Sequence, residues 1–246
     1  MRRPPLPHTD DRHWAWFLDV DGTLLEIEAY PDLVTADARL LRLLQDLGSN
    51  YGGALALVSG RSLEQLDRIF GGLMIAAAAS HGLQQRLPDG TVLNRASEVP
   101  PGSLRRITQF ADRHPGLVVE QKPFSVGLHY RARPELEPAV LEAMEKIHAE
   151  LDNDLRLMHG KMVVEIMPTG ANKGSAIRSF MQTRPFEGRL PVFVGDDVTD
   201  EYGFAMVNEL GGMSIRIGSA AGSAAKWQLR DVADVRAWLK AAAGIG

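Results

Sequence analysis

The chain has 246 residues, of which 45% are hydrophobic, with a formal net charge of -4 and no cysteine. This length suits one large domain or a core domain with a smaller companion, and the apolar content is high enough to argue against a disordered chain. The near balance of acidic and basic residues provides no basic surface for nucleic acid or for an anionic membrane. The lack of cysteine excludes disulfides, thiolate zinc sites and a cysteine nucleophile.

The first thirteen residues are expected to form a disordered lead-in. Arg2 and Arg3 precede a polar, proline-rich segment that lacks the apolar core of a secretory or twin-arginine signal. No apolar run is long enough to span a bilayer. We therefore expect a cytoplasmic protein that is a monomer or a weak oligomer, with no nucleic-acid or membrane partner.

Apolar runs that end in polar clusters alternate with helical patterns through the first part of the chain. The predicted elements are strand 14–18, helix 36–47, strand 54–58, a helix from Ser62 to Phe70, strand 74–79 and a hairpin of 83–86 with 91–93. The same texture resumes late in the chain, with helix 172–181, strands 191–194 and 214–217, and helix 232–243. This alternation predicts an α/β fold with a Rossmann-like parallel-sheet core.

The segment between these two parts lacks the apolar runs that end in polar clusters. Pro100-Pro101-Gly102 is typical of a linker and Pro168-Thr169-Gly170 of its return. The elements predicted between them are helices 105–113 and 135–151 and strands 117–120, 126–131 and 162–167. We therefore predict an inserted α/β domain over residues 101–167 and a core built from residues 1–100 and 168–246.

Two carboxylates one residue apart, Asp19 and Asp21, follow directly on the first predicted strand, and Gly22 lets the chain turn. Ligands of open parallel sheets bind beyond the carboxyl ends of the strands, so a substrate site is expected here. Asp-x-Asp-Gly also occurs in strand-ending turns and calcium loops. A calcium loop would need a glutamate at its twelfth position, which is Tyr30 in this chain.

Three further polar clusters follow at predicted strand ends or helix starts. They are Ser59, Lys173 and the group Asp196, Asp197 and Asp200. Taken singly, Ser59 is more often a helix cap and Lys173 a surface lysine. In this order, however, the four clusters resemble the motifs of the haloacid dehalogenase (HAD) superfamily of phosphotransferases: Asp-x-Asp-x-Thr, Ser or Thr, Lys, and Gly-Asp-Asp-x-x-x-Asp. The resemblance spans residues 17–218.

The resemblance implies a phosphatase that works through an aspartyl-phosphate. It implies that Asp19 is the nucleophile and that Asp21 is the general acid toward the leaving oxygen and the general base toward water. Lys173 is the third catalytic residue that the resemblance implies. Thr23, Ser59 and Lys173 would bind the phosphoryl oxygens.

The resemblance also implies a magnesium ion held by Asp19, by the backbone carbonyl of Asp21 and by Asp196. Magnesium prefers hard oxygen ligands and would neutralise the charge of the substrate. Two roles stay open for Asp197 and Asp200. They could lie behind the ligands and orient them or the motif lysine, or Asp200 could cap the next helix.

Several short segments together closely resemble the trehalose-6-phosphate phosphatases. They are Ser59-Gly60-Arg61, Ser80-His81-Gly82, residues 119–125, His129-Tyr130-Arg131, residues 160–166 and residues 195–201. This resemblance implies that trehalose 6-phosphate is the substrate and that the inserted domain is a cap that recognises the leaving group. No catalytic role is assigned to His81. At this length we expect no fused glucosyltransferase.

Glu120, Lys122 and Glu165 are the candidate sugar-binding residues. Glu120 and Lys122 fall on one face of an extended segment, and Glu165 adds a carboxylate on a neighbouring strand. Such a set suits sugar hydroxyls, and it equally fits an ordinary salt-bridged face of a sheet. The resemblance implies that the three bind the disaccharide and that His129 and Arg131 support them.

Two alternatives to this function stay open. The same chemistry could act on another sugar phosphate, such as sucrose phosphate or mannosylglycerate phosphate. A catalytically silent sugar-phosphate sensor is the alternative from a different class. Asp19 and Asp21 argue against the sensor, because binding alone gains nothing from a nucleophile placed against phosphorus.

Overall fold

The computed structural model describes residues 2–6, 13–27, 34–94, 101–151, 154–219 and 221–244. The chain divides into a core unit, Met1–Asn94 with Asn172–Gly246, and an inserted unit, Arg95–Ala171. The boundaries predicted at 101 and 167 both fall inside the inserted unit. Among the described residues, every helix is too short or too polar to cross a bilayer.

The strands of the described residues are β1 Trp14–Leu18, β2 Leu55–Val58, β3 Ala76–Ala79, β4 Gln84–Arg86, β5 Val92–Asn94, β6 Val118–Lys122, β7 Ser125–His129, β8 Leu155–Gly160, β9 Val163–Pro168, β10 Leu190–Gly195, β11 Met213–Ile217 and β12 Trp227–Leu229. The helices are α1 Ala38–Asn50, α2 Leu63–Ile69, α3 Pro101–Ala111, α4 Glu137–His148, α5 Lys173–Phe180, α6 Glu201–Glu209 and α7 Val232–Ala242.

The core unit is built on one sheet with the strand order β12-β11-β10-β1-β2-β3-β4-β5. Its strands from β12 to β3 run parallel, and β4 and β5 form the predicted antiparallel hairpin at the edge. The predicted α/β fold with a parallel-sheet core is therefore confirmed.

Strand β1 lies at the centre of this sheet, between β10 and β2. Its side chains alternate between two cores, with Trp16 and Leu18 on one face and Ala15 and Phe17 on the other. A strand buried on both faces is expected to be uniformly apolar, which explains the run that precedes Asp19. The strand therefore delivers Asp19 to the carboxyl edge of the sheet.

The inserted unit has a four-stranded antiparallel sheet in the order β6-β7-β9-β8. Ile107 of α3 and Val140 of α4 pack with Leu128 and Val164 from this sheet in one core. Because side chains alternate along a strand, Glu165, next to Val164, lies on the opposite face. The charged candidates of this unit thus share the face that is turned away from its core.

Several predicted bounds differ from the structure. Pro101 and Gly102 belong to the first turn of α3, so the prediction of a linker was wrong for these two residues; Pro100 lies outside the described residues. Proline suits the first turn of a helix because its φ is already helical and no N–H needs a partner there. The predicted helix over 135–151 is shorter, since a 3-10 turn over Pro134–Leu136 precedes α4.

Candidate active site

Asp19 lies directly after β1, and its carboxylate is almost fully buried. Its backbone N–H continues the sheet by donating to the Val194 carbonyl of β10 at 3.0 Å. The hydroxyl of Thr23, which is fully buried, donates to Asp19 Oδ2 at 2.9 Å. The turn after β1 therefore fixes one oxygen of the predicted nucleophile, and the hydroxyl predicted to bind phosphate contacts the nucleophile itself.

Lys173 holds the other oxygen of Asp19. It is the first residue of α5, where Asn172 accepts from the Ser175 N–H at 2.9 Å and Ser175 accepts from the Asn172 N–H at 3.0 Å. This reciprocal cap fixes the start of the helix. Lys173 Nζ lies 2.7 Å from Asp19 Oδ1 and 2.5 Å from Asp200 Oδ1.

Asp200 organises the acidic loop after β10. Its Oδ2 accepts the backbone N–H groups of Asp196 and Asp197, both at 2.8 Å, while its Oδ1 contacts Lys173. Its side chain makes no capping hydrogen bond to α6. Of the two roles left open by the sequence, the structure therefore favours orientation of the loop and of the lysine.

Carboxylate oxygens of Asp19, Asp196 and Asp200 all lie within 4.8 Å of one another. Burial, together with the neighbouring Asp200 and Asp196, raises the pKa of Asp19 well above its usual value, against the opposing effect of Lys173. Burial opposes the charged form of Lys173, but the two carboxylates that it contacts outweigh burial and raise its pKa. When all are ionised, the three carboxylates of this cluster and the one ammonium group of Lys173 together carry a net negative charge.

These residues fit a divalent cation. The donors are hard carboxylate oxygens, the set that magnesium prefers, and a divalent cation would relieve the excess negative charge. Asp200 accepts three hydrogen bonds, one from Lys173 and two from backbone N–H groups on its other oxygen, whereas each oxygen of Asp19 accepts one from Thr23 or Lys173. Asp19 and Asp196 are thus the members of the cluster best suited to bind a metal, and Asp21 follows on the same loop as Asp19.

Gly22 brings the loop after β1 against the Asp196 carboxylate. Its φ is +77°, and a Cβ atom added there would lie 2.2 Å from Asp196 Oδ2. No side chain can occupy this position without displacing that carboxylate. The glycine therefore serves both the turn and the close approach of the two acidic loops.

Asp21 and Ser59 belong to a second network, at the ends of β1 and β2. Arg61 Nε donates to Asp21 Oδ2 at 2.7 Å and its terminal nitrogen donates to Oδ1 at 2.6 Å. The Arg61 backbone N–H donates to Ser59 Oγ at 3.2 Å. Sequence reasoning gave Arg61 no role, although a cation two residues after Ser59, at the end of a neighbouring strand, was a usable signal.

The turn after β3 supports the Ser59–Arg61 segment. The Ser80 N–H donates to the Arg61 carbonyl at 2.8 Å, and the His81 N–H donates to the Ser59 carbonyl at 3.0 Å. The His81 ring packs so closely on Gly60 that a Cβ there would lie 2.6 Å from it. These contacts indicate that His81 has a structural role.

The three candidate sugar-binding residues form one cluster in the inserted unit. Lys122 Nζ lies 2.8 Å from Glu165 Oε1 and 3.3 Å from Glu120 Oε2. Ser125 Oγ donates to the same Glu165 oxygen at 2.6 Å, and His129 Nε2 lies 2.9 Å from Glu120 Oε2. Burial opposes the charged form of Lys122, but the two glutamates outweigh burial and raise its pKa.

The neighbours of this cluster differ in what they contact. His129 touches Glu120, as its predicted supporting role requires, whereas Arg131 donates at 3.4 Å to the Lys161 carbonyl. Sequence reasoning gave no role to Ser125. Its position opposite Lys122 in the β6–β7 pairing places it on the same face as the cluster.

Comparison with solved structures identifies the fold. The chain is similar to the C-terminal domain of a trehalose-6-phosphate phosphatase from C. albicans, with a TM-score of 0.86, 22% identity and coverage of 96% of this chain and 94% of that one. It is also similar to a HAD-superfamily phosphatase from Bacteroides thetaiotaomicron, with a TM-score of 0.61, 15% identity and coverage of 98% and 99%. The fold is that of the HAD phosphatases.

Sequence comparison then identifies the family. A family model described as trehalose-phosphatase matches residues 17–233. The trehalose-6-phosphate phosphatase of Escherichia coli (strain K12) is 42% identical over 242 residues, which cover 96% of this chain and 90% of that protein. The chain belongs to the trehalose-phosphatase family and is an enzyme of the phosphoric monoester hydrolase class. The resemblance inferred from the motifs is confirmed.

Proposed function

We propose that this protein is a magnesium-dependent phosphatase that hydrolyses trehalose 6-phosphate to trehalose and phosphate through an aspartyl-phosphate. The observation that carries the proposal is the buried Asp19 carboxylate, held by Thr23 on one oxygen and by Lys173 on the other, with the Asp196 carboxylate beside it. The match to the trehalose-phosphatase family supports the choice of substrate.

In this mechanism Asp19 attacks phosphorus, and the bond from phosphorus to the sugar oxygen breaks. Asp21 gives its proton to the leaving oxygen and then takes a proton from the water that attacks the aspartyl-phosphate. This second attack breaks the bond from phosphorus to the Asp19 oxygen, releases phosphate and restores the Asp19 carboxylate. A proton on Asp21 weakens its paired contact with Arg61, because a neutral carboxyl group attracts the guanidinium group less strongly than a carboxylate does.

In the same mechanism, the negative charge of the phosphoryl group would be offset by Lys173 and by the metal ion that its ligands hold. Asp19 and Asp196, with the backbone carbonyl of Asp21, would hold magnesium, which when bound neutralises the charge of the phosphoryl group. Lys173 would bind a phosphoryl oxygen as a point charge, while Asp200 keeps the ammonium group in place. Thr23 and Ser59 are proposed to complete phosphoryl binding.

The cluster of Glu120, Lys122 and Glu165 is proposed to bind the sugar hydroxyls. It supplies carboxylate acceptors and an ammonium donor within one hydrogen-bonded group. A cytoplasmic location, a monomeric or weakly associated state and the absence of nucleic-acid and membrane partners stay predictions from the sequence.

The first test is phosphate release from trehalose 6-phosphate, sucrose 6-phosphate and glucose 6-phosphate, each with magnesium and with a chelator. We expect turnover of the trehalose ester alone, and we expect chelation to abolish it. Asp19→Asn should reduce turnover to background, whereas Asp89→Asn, an exposed hairpin substitution, should leave it unchanged. Magnesium-dependent turnover of another ester would contradict the substrate, and no turnover of any ester would favour the sensor.

A further inference from the structure

Arg216 contacts the backbone of the acidic loop, although it lies on β11, outside every motif of the sequence. Its position is paired with Gly195 of β10, the residue that precedes Asp196. One terminal nitrogen donates to the Asp196 carbonyl at 2.8 Å, and the other lies 3.5 Å from the Asp197 carbonyl. The side chain is only 12% exposed.

Arg216 is itself held in place by Glu201, the first residue of α6. Its terminal nitrogen lies 2.7 Å from Glu201 Oε1, which also accepts from the Ser223 hydroxyl at 2.7 Å. Glu201 Oε2 accepts the Ala224 backbone N–H at 2.7 Å. Both oxygens of Glu201 are therefore used, and the guanidinium group has a fixed anchor.

The backbone around Asp196 is therefore held through its N–H groups and also through its carbonyl group. Asp200 accepts the N–H groups of Asp196 and Asp197, and Arg216 donates to the Asp196 carbonyl. A carboxylate ligand can keep its direction only if its own backbone is fixed. Partners behind a ligand commonly supply this constraint.

The placement of Arg216 is not one that stability alone would favour. Within the part of the chain that the structure describes, its buried Nε–H has no acceptor, and such a donor is unfavourable. The two terminal nitrogens, in contrast, reach a backbone carbonyl and a carboxylate at the same time. The rigid planar group of arginine can span two acceptors in this way, whereas a lysine is a single point charge.

We propose that Arg216, anchored by Glu201, is a positioning residue that orients Asp196 for magnesium binding. The proposal rests on the proposed function, because it takes Asp196 as a metal ligand. Arg216 acts through the Asp196 backbone and not by touching the metal. Its loss should therefore weaken magnesium binding more than it perturbs the rest of the fold.

The test compares the wild-type protein with Arg216→Met, Arg216→Lys and Arg178→Met. Arg178 pairs with Glu209 at the exposed surface between α5 and α6, so its loss is a matched control for removing an arginine ion pair. The Kd for magnesium is measured by calorimetric titration, and the Tm is measured without metal. We expect Arg216→Met to raise the Kd about 10- to 100-fold, Arg216→Lys to raise it less, and Arg178→Met to leave it unchanged.

A merely structural role would lower the Tm of Arg216→Met and leave its Kd for magnesium at the wild-type value, and this result would overturn the proposal. If Arg216→Met does not fold, Arg216→Lys decides, because an unchanged Kd in that variant also overturns the proposal. Failure of the proposed function looks different, since the wild-type protein would then bind no magnesium.

Discussion

At the scale of single residues, the site depends on how closely two acidic loops approach each other. Asp19 and Asp196 come from strands β1 and β10, which are neighbours in the sheet, and Gly22 leaves room for the Asp196 carboxylate. The two carboxylates repel each other, so other contacts must hold them close: Thr23 and Lys173 bind Asp19, and Asp200 accepts the backbone N–H of Asp196. A small steric change between the loops should therefore affect function strongly.

Gly22→Ala tests this dependence. The new methyl group would collide with Asp196 and would strain a backbone with positive φ, at a cost of about 1–2 kcal/mol. We expect a large loss of magnesium-dependent turnover, measured as phosphate release from the sugar ester. Gly211→Ala is the matched control, because Gly211 has a φ of +74° and open space where its Cβ would lie.

The two alanine variants separate strain from collision. Both should lose unfolding free energy in urea through backbone strain, with a further loss in Gly22→Ala from the collision, but only Gly22→Ala should lose turnover. Equal loss of turnover in the two variants would show that backbone strain, and not the approach to Asp196, limits activity.

The motif residues were recognised in the sequence by their order, whereas their supporting partners were not recognised. Asp19, Lys173 and Asp196 were found because their chemical types recur in a fixed order. Arg61 and Arg216 support acidic residues that lie far away along the chain, 40 and 20 positions from them. Arg61 left a local signal because it follows Ser59 by two residues, whereas the contact of Arg216 depends on which strands become neighbours, and local sequence patterns do not show this.

At the scale of secondary-structure elements, helix α5 carries the predicted catalytic residue Lys173 in its first turn. Its N-terminus is fixed by the reciprocal bonds of Asn172 and Ser175, and Lys173 is the next residue after the cap. Helix starts are prone to fraying because their first N–H groups have no partner within the helix. The cap therefore protects both the helix and the direction of the lysine.

Comparison of Asn172→Ala with a variant of a second helix cap should separate the loss of helix stability from the loss of lysine orientation. Loss of a capping side chain costs about 1 kcal/mol of unfolding free energy. Asp231→Ala removes the equivalent bond at α7, where Asp231 accepts the Asp234 N–H at 2.8 Å. We expect similar destabilisation in urea but reduced kcat only in Asn172→Ala. Unchanged kcat in that variant would mean that the Lys173 contacts alone hold the lysine.

The strength of the hydrophobic pattern decided which elements could be predicted. The strands at the centre of the core sheet are apolar throughout, and the helix that Ser62 caps was placed correctly because its capping box is local. Strands β8 and β12 were missed, and the helix expected after Asp200, which is α6, was given no bounds. Strand β8 breaks its alternation at Leu157-Met158, and β12 has only three residues, too few for a pattern to be recognised. Strand β12 pairs along β11 at the edge of the sheet.

At the scale of the whole molecule, the candidate catalytic groups lie in one unit and the candidate sugar-binding groups lie in the other. The acidic cluster and its lysine belong to the core unit, and the cluster of Glu120, Lys122 and Glu165 belongs to the inserted unit. If the second cluster recognises the sugar, its substitution should affect large esters and spare small ones.

Glu120→Gln tests this division while Lys122 keeps its contact with Glu165. Loss of a hydrogen bond to a charged group costs about 1.5–3 kcal/mol, so kcat/KM for trehalose 6-phosphate should fall about 10- to 150-fold. Turnover of a small phosphate ester without a sugar should stay the same. Glu142→Gln, at an exposed pair with Lys146 on α4, is the control and should change neither. An equal fall for both substrates would assign Glu120 a role in folding.

The central position of β1 affects how the protein is made. One neighbour, β2, follows early, but the other, β10, is separated from β1 by the whole inserted unit. At about 5–20 residues per second, a ribosome needs roughly 10–35 s to synthesise the chain between them. During this interval an entirely apolar strand of the sheet has an open edge that can pair with other nascent chains. Chaperone protection of the emerging polypeptide should therefore matter more for this enzyme than its modest size suggests.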